Sequence, residues 1–323
     1  MKHLASLRHF PATFAWTVTL LFPTCLNAQT SEVTYGGSQI EYQNHTCKVK
    51  KIGPLKGVEK KSYQGMDIWG NYMLSMQHTG YCTAYRLDRK GRPTKIGESF
   101  PLASQGEMNH ANVASFTTRF LSPDDPLPLI CITRCNIKPD EQGRDKVAYI
   151  EQIDPEKGTA RLVQTIWLRD PGRKLIGTTA QWVVDRATGY LYAYGNTIGN
   201  TSPDNKHRIL KFRMPAYEGE QDSLVVLTEK DALENYLLED YCARPISPVV
   251  IQGADIMNGL LYLPTGVGDA KRPSILYVWD LRTRTMRNVV NLQEAIPVEM
   301  EDCAPYAGTM MVQCQRCLYQ IKF

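Results

Sequence analysis

Apolar and polar positions alternate along this chain in short blocks, not in long amphipathic stretches. Runs rich in Val, Ile, Leu, Tyr and Phe are cut by Gly, Asn, Asp and Pro. Examples are YCTAYRLD (81–88), PLICITRC (128–135), KVAYIEQID (146–154), LVQTIWL (162–168), YLYAYGN (190–196), RILKFRM (208–214), SILYVWDL (274–281) and LYQIKF (318–323). Blocks of this length and composition predict β-strands. One segment has helical spacing instead. In EKDALENYLLEDY (229–241), Leu233, Tyr236, Leu237 and Tyr241 fall near one helical face and predict a helix.

Two stretches are nearly the same text. QGMDIWGNYMLSM starts at Gln64 and QGADIMNGLLYLP starts at Gln252. In each, Gln-Gly-x-Asp leads into an apolar strand, a Gly- or Asn-containing turn and a second apolar strand. GYCTAYRLDRKGRPTKIGESFPL extends the first copy, and ILYVWDLRTRTMRNVVNL the second, by two more strands. The unit is a four-stranded meander. Further units read from NHANVASFTTRF onward and from TAQWVVDRATGYLYAYGN onward, the latter taking in HRILKFRM, DSLVVLTEKDAL and the late helix. The final unit, VEMEDCAPYAGTMMVQCQRCLYQIKF, has only three strands before the chain stops.

Four-stranded units in series predict an all-β five-bladed propeller, with blades starting near Gln64, Asn109, Ala180, Gln252 and Glu301. The missing fourth strand of the last blade is supplied by TCKVKKIGPL (46–55), which closes the ring from the other terminus. In the last blade, aligning YAGTMM on MNGLLY puts Glu301 at the position of Gln252 and Ala304 at that of Asp255.

Gln-Gly-x-Asp-Ile, then Asn-His-Ala-Asn-x-Ala-Ser-Phe, then Gln-Gly-x-Asp again and a Glu-rich last inner strand resemble secreted bacterial propellers of mostly unassigned function. In outline they are similar to the propellers of teichoic-acid-biosynthesis proteins and of phage tail receptor-binding proteins. The resemblance covers residues 64–323, and its short motifs imply a fold more than an activity.

The N-terminus adds a cellular context. Lys2 and Arg8 precede the apolar run ATFAWTVTLLF (12–22), and Leu26-Asn27-Ala28 offers a small-residue exit. This order predicts a signal peptide over 1–28, an extension over 29–45 and a propeller over 46–323, in a secreted or periplasmic protein. A lipid anchor at Cys25 fits less well, because Phe22-Pro23-Thr24 lacks the small residues such sites use. The apolar run is too short for a comfortable membrane span. Without Cys25, eight cysteines remain, which in an exported chain permits disulfides or buried thiols. Cys314-x-x-Cys317 has half the spacing of a zinc site but no convincing second half.

The net charge of +4 is small and dispersed, which argues against nucleic acid as a partner. The basic cluster KVKKIGPLKGVEKK (48–61) reads as a solvated strand and loop. No Gly-x-Ser-x-Gly elbow, phosphate-binding loop or His-Glu-x-x-His occurs. The expected partner is a glycan or another small polar ligand, met by a monomer; the alternative to ligand binding and to an enzyme is a scaffold for another exported protein.

In a propeller the first strand of each blade lines the channel, so the polar residues at strand starts become neighbours. The candidate ligand-binding set is Gln64, Asp67, Asn109, His110, Asn112, Gln181, Gln252, Asp255 and Glu301. Asp67 and Asp255, at matching points of the two copies, also suit a structural role as acceptors of backbone N–H groups. Gly65 and Gly253 suit close approach of backbones at the axis. Glu301 and Asp302 are adjacent, so only one faces the channel. Three chemistries fit. Channel amides and carboxylates bind sugar hydroxyls while Trp69, Trp182 or Tyr306 stack on the rings. Two of Asp67, Asp255 and Glu301 act as a glycosidase pair. Or His110 acts as the base of a polysaccharide lyase. No cofactor is implied beyond calcium among the channel carboxylates.

Overall fold

The computed structural model describes residues 30–35, 38–43, 47–57, 62–107, 109–135, 138–199, 202, 204–217, 223–241 and 251–323. The predicted signal peptide and Cys242 lie outside the described residues. Two strands, β1 (Thr30–Tyr35) and β2 (Ser38–Gln43), form an antiparallel pair ahead of the first blade strand.

Five sheets follow. Blade 1 is β4 (Tyr63–Trp69), β5 (Tyr72–Gln77), β6 (Tyr81–Leu87) and β7 (Pro93–Pro101). Blade 2 begins with β8 (Ala114–Phe116), β9 (Ile130–Thr133), β10 (Val147–Asp154) and β11 (Thr159–Leu168). Blade 3 contains β12 (Gln181–Asp185), β13 (Tyr190–Asn196) and β14 (His207–Arg213). Blade 4 is β17 (Asp255–Met257), β18 (Leu260–Thr265), β19 (Ile275–Asp280) and β20 (Thr285–Asn291). Blade 5 is β21 (Asp302–Tyr306), β22 (Thr309–Cys314) and β23 (Cys317–Lys322), completed by β3 (Lys48–Pro54). The strand missing from the last blade is therefore the N-terminal one, paired antiparallel from Lys322↔Lys48 to Cys317↔Pro54. Its lysines Lys48, Lys50 and Lys51 are exposed on the blade's outer edge, where charge discourages pairing with another chain.

The innermost strands touch in the cyclic order β4, β8, β12, β17, β21 and back to β4. Each space between neighbouring blades holds its own apolar cluster. Tyr192, Ile209 and Tyr236 of blade 3 meet Ile256, Tyr277 and Trp279 of blade 4. Phe212 and Trp182 meet Val163 and Ile166 of blade 2, and Phe100 meets Phe116 across blades 1 and 2. Val278 meets Val312 across blades 4 and 5, and Met66 meets Met311 across blades 5 and 1. A blade is covered on both faces, so its middle strands read as continuous apolar runs instead of alternating ones.

The third unit departs from the expected order. After β14 the chain crosses to blade 2 and adds β15 (Ser223–Leu227) parallel to β11, as a fifth strand. It then returns to complete blade 3 with β16 (Glu234–Leu237), antiparallel to β14. The helix expected over 229–241 is not formed. Thr228 caps a single 3-10 turn, Glu229–Asp231, and Ala232 is already extended (φ −73°, ψ 124°). Leu233 and Tyr241 are exposed, while Tyr236 and Leu238 are buried, so the supposed apolar face is split. Pairing with the open edge of β14 and burial of Tyr236 on Trp279 override the local helical spacing.

The seven described cysteines are free thiols, and Cys82, Cys131, Cys303 and Cys314 are buried in the inter-blade clusters. Among the described residues no helix is long and apolar enough to cross a membrane.

Candidate functional site

The inner strands create two polar levels along the axis. At the first level, three carboxylates are sealed from solvent: Asp67, Asp255 and Asp302. Each accepts the N–H of the next residue: Ile68 (2.6 Å), Ile256 (2.6 Å) and Cys303 (2.9 Å). Asp67 also accepts Phe116 N–H (2.5 Å), and Asp302 accepts Met66 N–H (2.7 Å) and Ala114 N–H (3.3 Å). These carboxylates thus tie blades 1, 2 and 5 together through unpaired backbone donors of short inner strands. Arg186, from the β12–β13 turn, reaches Asp67 (3.2 Å), Asp255 (3.5 Å) and the Ile68 carbonyl (2.9 Å). Burial raises all three carboxyl pKa values; Arg186 opposes this at Asp67 and Asp255.

The close approach depends on two glycines. A Cβ on Gly65 would lie 2.6 Å from the Ala111 carbonyl oxygen, and one on Gly253 would lie 1.9 Å from Asp302 Oδ1. Asp67 and Asp255 are thus built into the axis, their oxygens facing backbone N–H groups and Arg186. Among the described residues no group of His, Cys, Asp and Glu is arranged to hold a metal ion, so the calcium expectation gains no donor set here.

The second level lies at the starts of the inner strands. Gln64 Nε2 donates to Glu301 (3.2 Å), and Gln252 Nε2 donates to Glu299 (2.6 Å). Gln64 and Gln252 therefore share one rim. Burial, with Glu299 nearby, pushes the Glu301 carboxyl up to about 9. Of the adjacent acids, Asp302 joins the axial cluster while Glu301 serves Gln64.

On the same rim opens a cavity of 1080 Å³, walled by blades 1, 2 and 3 with Ile251 of blade 4 at its edge. Of the residues expected from the sequence, Asn109, His110 and Gln181 line it. Gln64, Asp67, Asn112, Gln252, Asp255 and Glu301 do not.

His110 is held in place by its neighbours. Asn109 Oδ1 accepts Ala111 N–H (2.9 Å), and Asn109 Nδ2 donates to Ser104 Oγ (2.8 Å). Ser104 in turn bonds the buried Glu151, which also accepts Ala103 N–H (2.9 Å). Ala111 takes a left-handed conformation (φ 52°), and its carbonyl accepts Gly65 N–H (2.7 Å). A non-glycine residue in that region costs energy and persists only where its surroundings fix it. Burial, and secondarily His78, lowers the His110 pKa. The two imidazoles lie 6.0 Å apart between centroids. Gln181 Oε1 is buried with no hydrogen-bond partner, and Cys135 Sγ lies 3.6 Å from Thr179 Oγ1 beside it.

His78, Lys138, Thr179 and Asn196 also line the cavity and were not singled out from the sequence. Topology offered a signal. In an antiparallel meander the end of a blade's second strand returns to the rim where its first strand began. His78 follows β5, Cys135 and Lys138 follow β9, and Asn196 ends β13.

The aromatics expected to stack on a sugar are elsewhere. Trp69 packs on Phe116 and Phe120, Trp182 is buried with Nε1 on the Lys146 carbonyl (3.3 Å), and Tyr306 bonds the Asp88 carbonyl (3.0 Å).

No family model matches the chain, and no curated protein matches it. Solved structures do. A glutaminyl cyclase from Myxococcus xanthus shares 11% identity over 85% of this chain and 95% of its own, with a TM-score of 0.49. A tail fibre of Staphylococcus aureus phage P68 shares 14% identity over 85% of this chain and 52% of its own, with a TM-score of 0.43. A nidogen/laminin complex structure shares 12% identity over 79% of this chain and 72% of its own, with a TM-score of 0.38. The likeness is one of fold alone. The chain is a five-bladed β-propeller with a polar cavity at one mouth of its channel.

Proposed function

We propose that this protein is an exported binding propeller that takes a small polar ligand, a glycan or a molecule of similar polarity, in the cavity at its channel mouth. The observation that carries the reading is Gln181: its Oε1 is buried, unpartnered and set in the cavity wall. An unsatisfied buried acceptor costs about 1–3 kcal/mol, and a ligand hydroxyl or N–H removes that cost. Polar groups from three blades converge on the same space, as a ligand pocket requires. Binding without turnover is favoured over glycoside hydrolysis, because neither Asp67 nor Asp255 lines the cavity and Arg186 engages both. Recognition proceeds by hydrogen bonds, not stacking, since among the described residues the only rings in the wall are the imidazoles of His78 and His110.

The test is a screen of mono- and oligosaccharides and small polar metabolites by calorimetry, with product release followed in the same samples. Saturable binding without product is expected. Gln181→Leu should weaken it at least tenfold while leaving the melting temperature unchanged or raised. Unaltered affinity in Gln181→Leu would remove the cavity from consideration, and steady product release would move the protein to the enzymes.

A further inference from the structure

We infer that the ligand of the channel-mouth cavity is an anion, a small molecule carrying a carboxylate or a phosphate, held by His78 and His110. The inference rests on the reading of that cavity as a binding site. Among the described residues of its lining three are basic and none is Asp or Glu. The whole chain is nearly balanced, with 37 Lys and Arg against 33 Asp and Glu, so composition alone does not produce such a wall.

Three acids of the same rim are turned to other tasks. Glu151 accepts Ala103 and Ser104 N–H groups behind Asn109. Glu301 and Glu299 hold Gln64 and Gln252 outside the wall. An anion entering the cavity therefore meets basic side chains in its described wall.

The two imidazoles are arranged as donors. His78 Nδ1 lies 3.2 Å from Ser62 N and accepts its N–H in the tautomer that carries the ring proton on Nε2. The Ser62 carbonyl, 3.3 Å from the same Nδ1, accepts its N–H in the other tautomer, so Ser62 anchors the ring either way. Neither His78 Nε2 nor either ring nitrogen of His110 has a hydrogen-bond partner among the described residues. Two imidazoles 6.0 Å apart resist a second positive charge, and an anion between them relieves that repulsion. Lys138, on the loop after β9, adds an exposed ammonium at the edge of the same wall. Gln181 Oε1 is an acceptor, so it asks for a donor on the ligand. An anion that also carries hydroxyl groups satisfies both demands.

The experiment compares three probes that share one ring: glucose, glucuronate and glucose 6-phosphate, titrated into the whole protein. The two anions separate carboxylate from phosphate recognition. At least one anion should bind about tenfold more tightly than glucose, a difference of 1.4 kcal/mol. Its binding should weaken with added salt and perturb the side-chain resonances of His78 and His110. Lys138→Glu, a charge reversal at the exposed edge of the wall, should lose most of the anion preference, and an unchanged preference overturns the inference. Equal affinity for glucose and both anions overturns the anion inference and spares the polar-ligand reading. Binding of glucose alone does the same. No binding by any of the three up to ~10 mM, roughly 2.7 kcal/mol of affinity, overturns both.

Discussion

Gly253 and Asp302 occupy the same few ångströms of the channel axis. A methyl group on Gly253 would fall 1.9 Å from Asp302 Oδ1 and 2.6 Å from its Cα. Gly253 N–H also bonds the Glu301 carbonyl (2.6 Å), so blade 4 is stitched to blade 5 where it is tightest. Because the backbone of Asp302 is in the way, rotating its side chain does not make room.

Gly253→Ala should therefore destabilise the propeller by about 3 kcal/mol or more, through overpacking that displaces an inner strand. Gly106 is the control. It lies in the cavity wall with nothing within 4 Å of an added Cβ. Gly106→Ala should stay within about 0.5 kcal/mol of the parent. Urea unfolding midpoints of the two variants decide the matter, and a tolerated Gly253→Ala would mean that the axis is looser than described.

The buried Glu301 carboxyl predicts a pH signature. Its pKa in the fold, about 9, lies above its ordinary value of about 4.3. The fold thus favours the protonated acid. The stability this group contributes is complete below pH ~4.3 and is lost as pH rises through about 9. Glu301→Gln keeps an acceptor for Gln64 Nε2 and has no proton to lose. At pH 8 the variant should melt roughly 3 °C or more above the parent, a shift of about 1 kcal/mol for a chain of this size. At pH 4 the two should coincide. The axial Asp67, Asp255 and Asp302 slope the same way in both proteins, so the difference isolates Glu301. Parallel melting-temperature profiles from pH 4 to 9 would refute the buried acid.

The Gln-Gly-x-Asp doublet was enough to reveal the ring, because each copy marks an inner strand whose glycine and carboxylate answer the same crowding. The last blade hides the pattern. Its turn aligns Ala304 with Asp255, and the ladder agrees: Ala304 and Asp255 each stand two residues before the last pair of their hairpins. The carboxylate instead enters two residues earlier, at Asp302, which strand alternation places on the same face. A repeat search sees a missing Asp; the axis sees one shifted by one pleat. His110 was legible because it lies just ahead of an inner strand, β8, whereas His78 and Lys138 sit on loops that only the meander's geometry brings to the same rim. Ala111 was not legible, since a left-handed alanine has no sequence mark.

The exchange between blades 2 and 3 was hidden for a different reason: SLVVL has strand character but nothing in it names a partner. Its placement makes alternate residues unequal. Leu224 and Val226 are 50% and 40% exposed, whereas Val225 packs against the cluster between blades 2 and 3. The parallel register sets Val225 opposite Ile166 of β11. Val225→Asp should then cost about 2 kcal/mol by putting a charge against apolar neighbours, while Leu224→Asp should stay within about 0.5 kcal/mol. If the strand belonged to blade 3 in the simple meander, β16 would have no edge to join and the burial of Tyr236 on Trp279 would be lost. Tyr236→Ala should accordingly destabilise by about 3 kcal/mol, in line with removal of a large buried ring. Leu224→Asp proving the more damaging of the two aspartates would place the strand one residue out of register and reopen the outer edge of both blades.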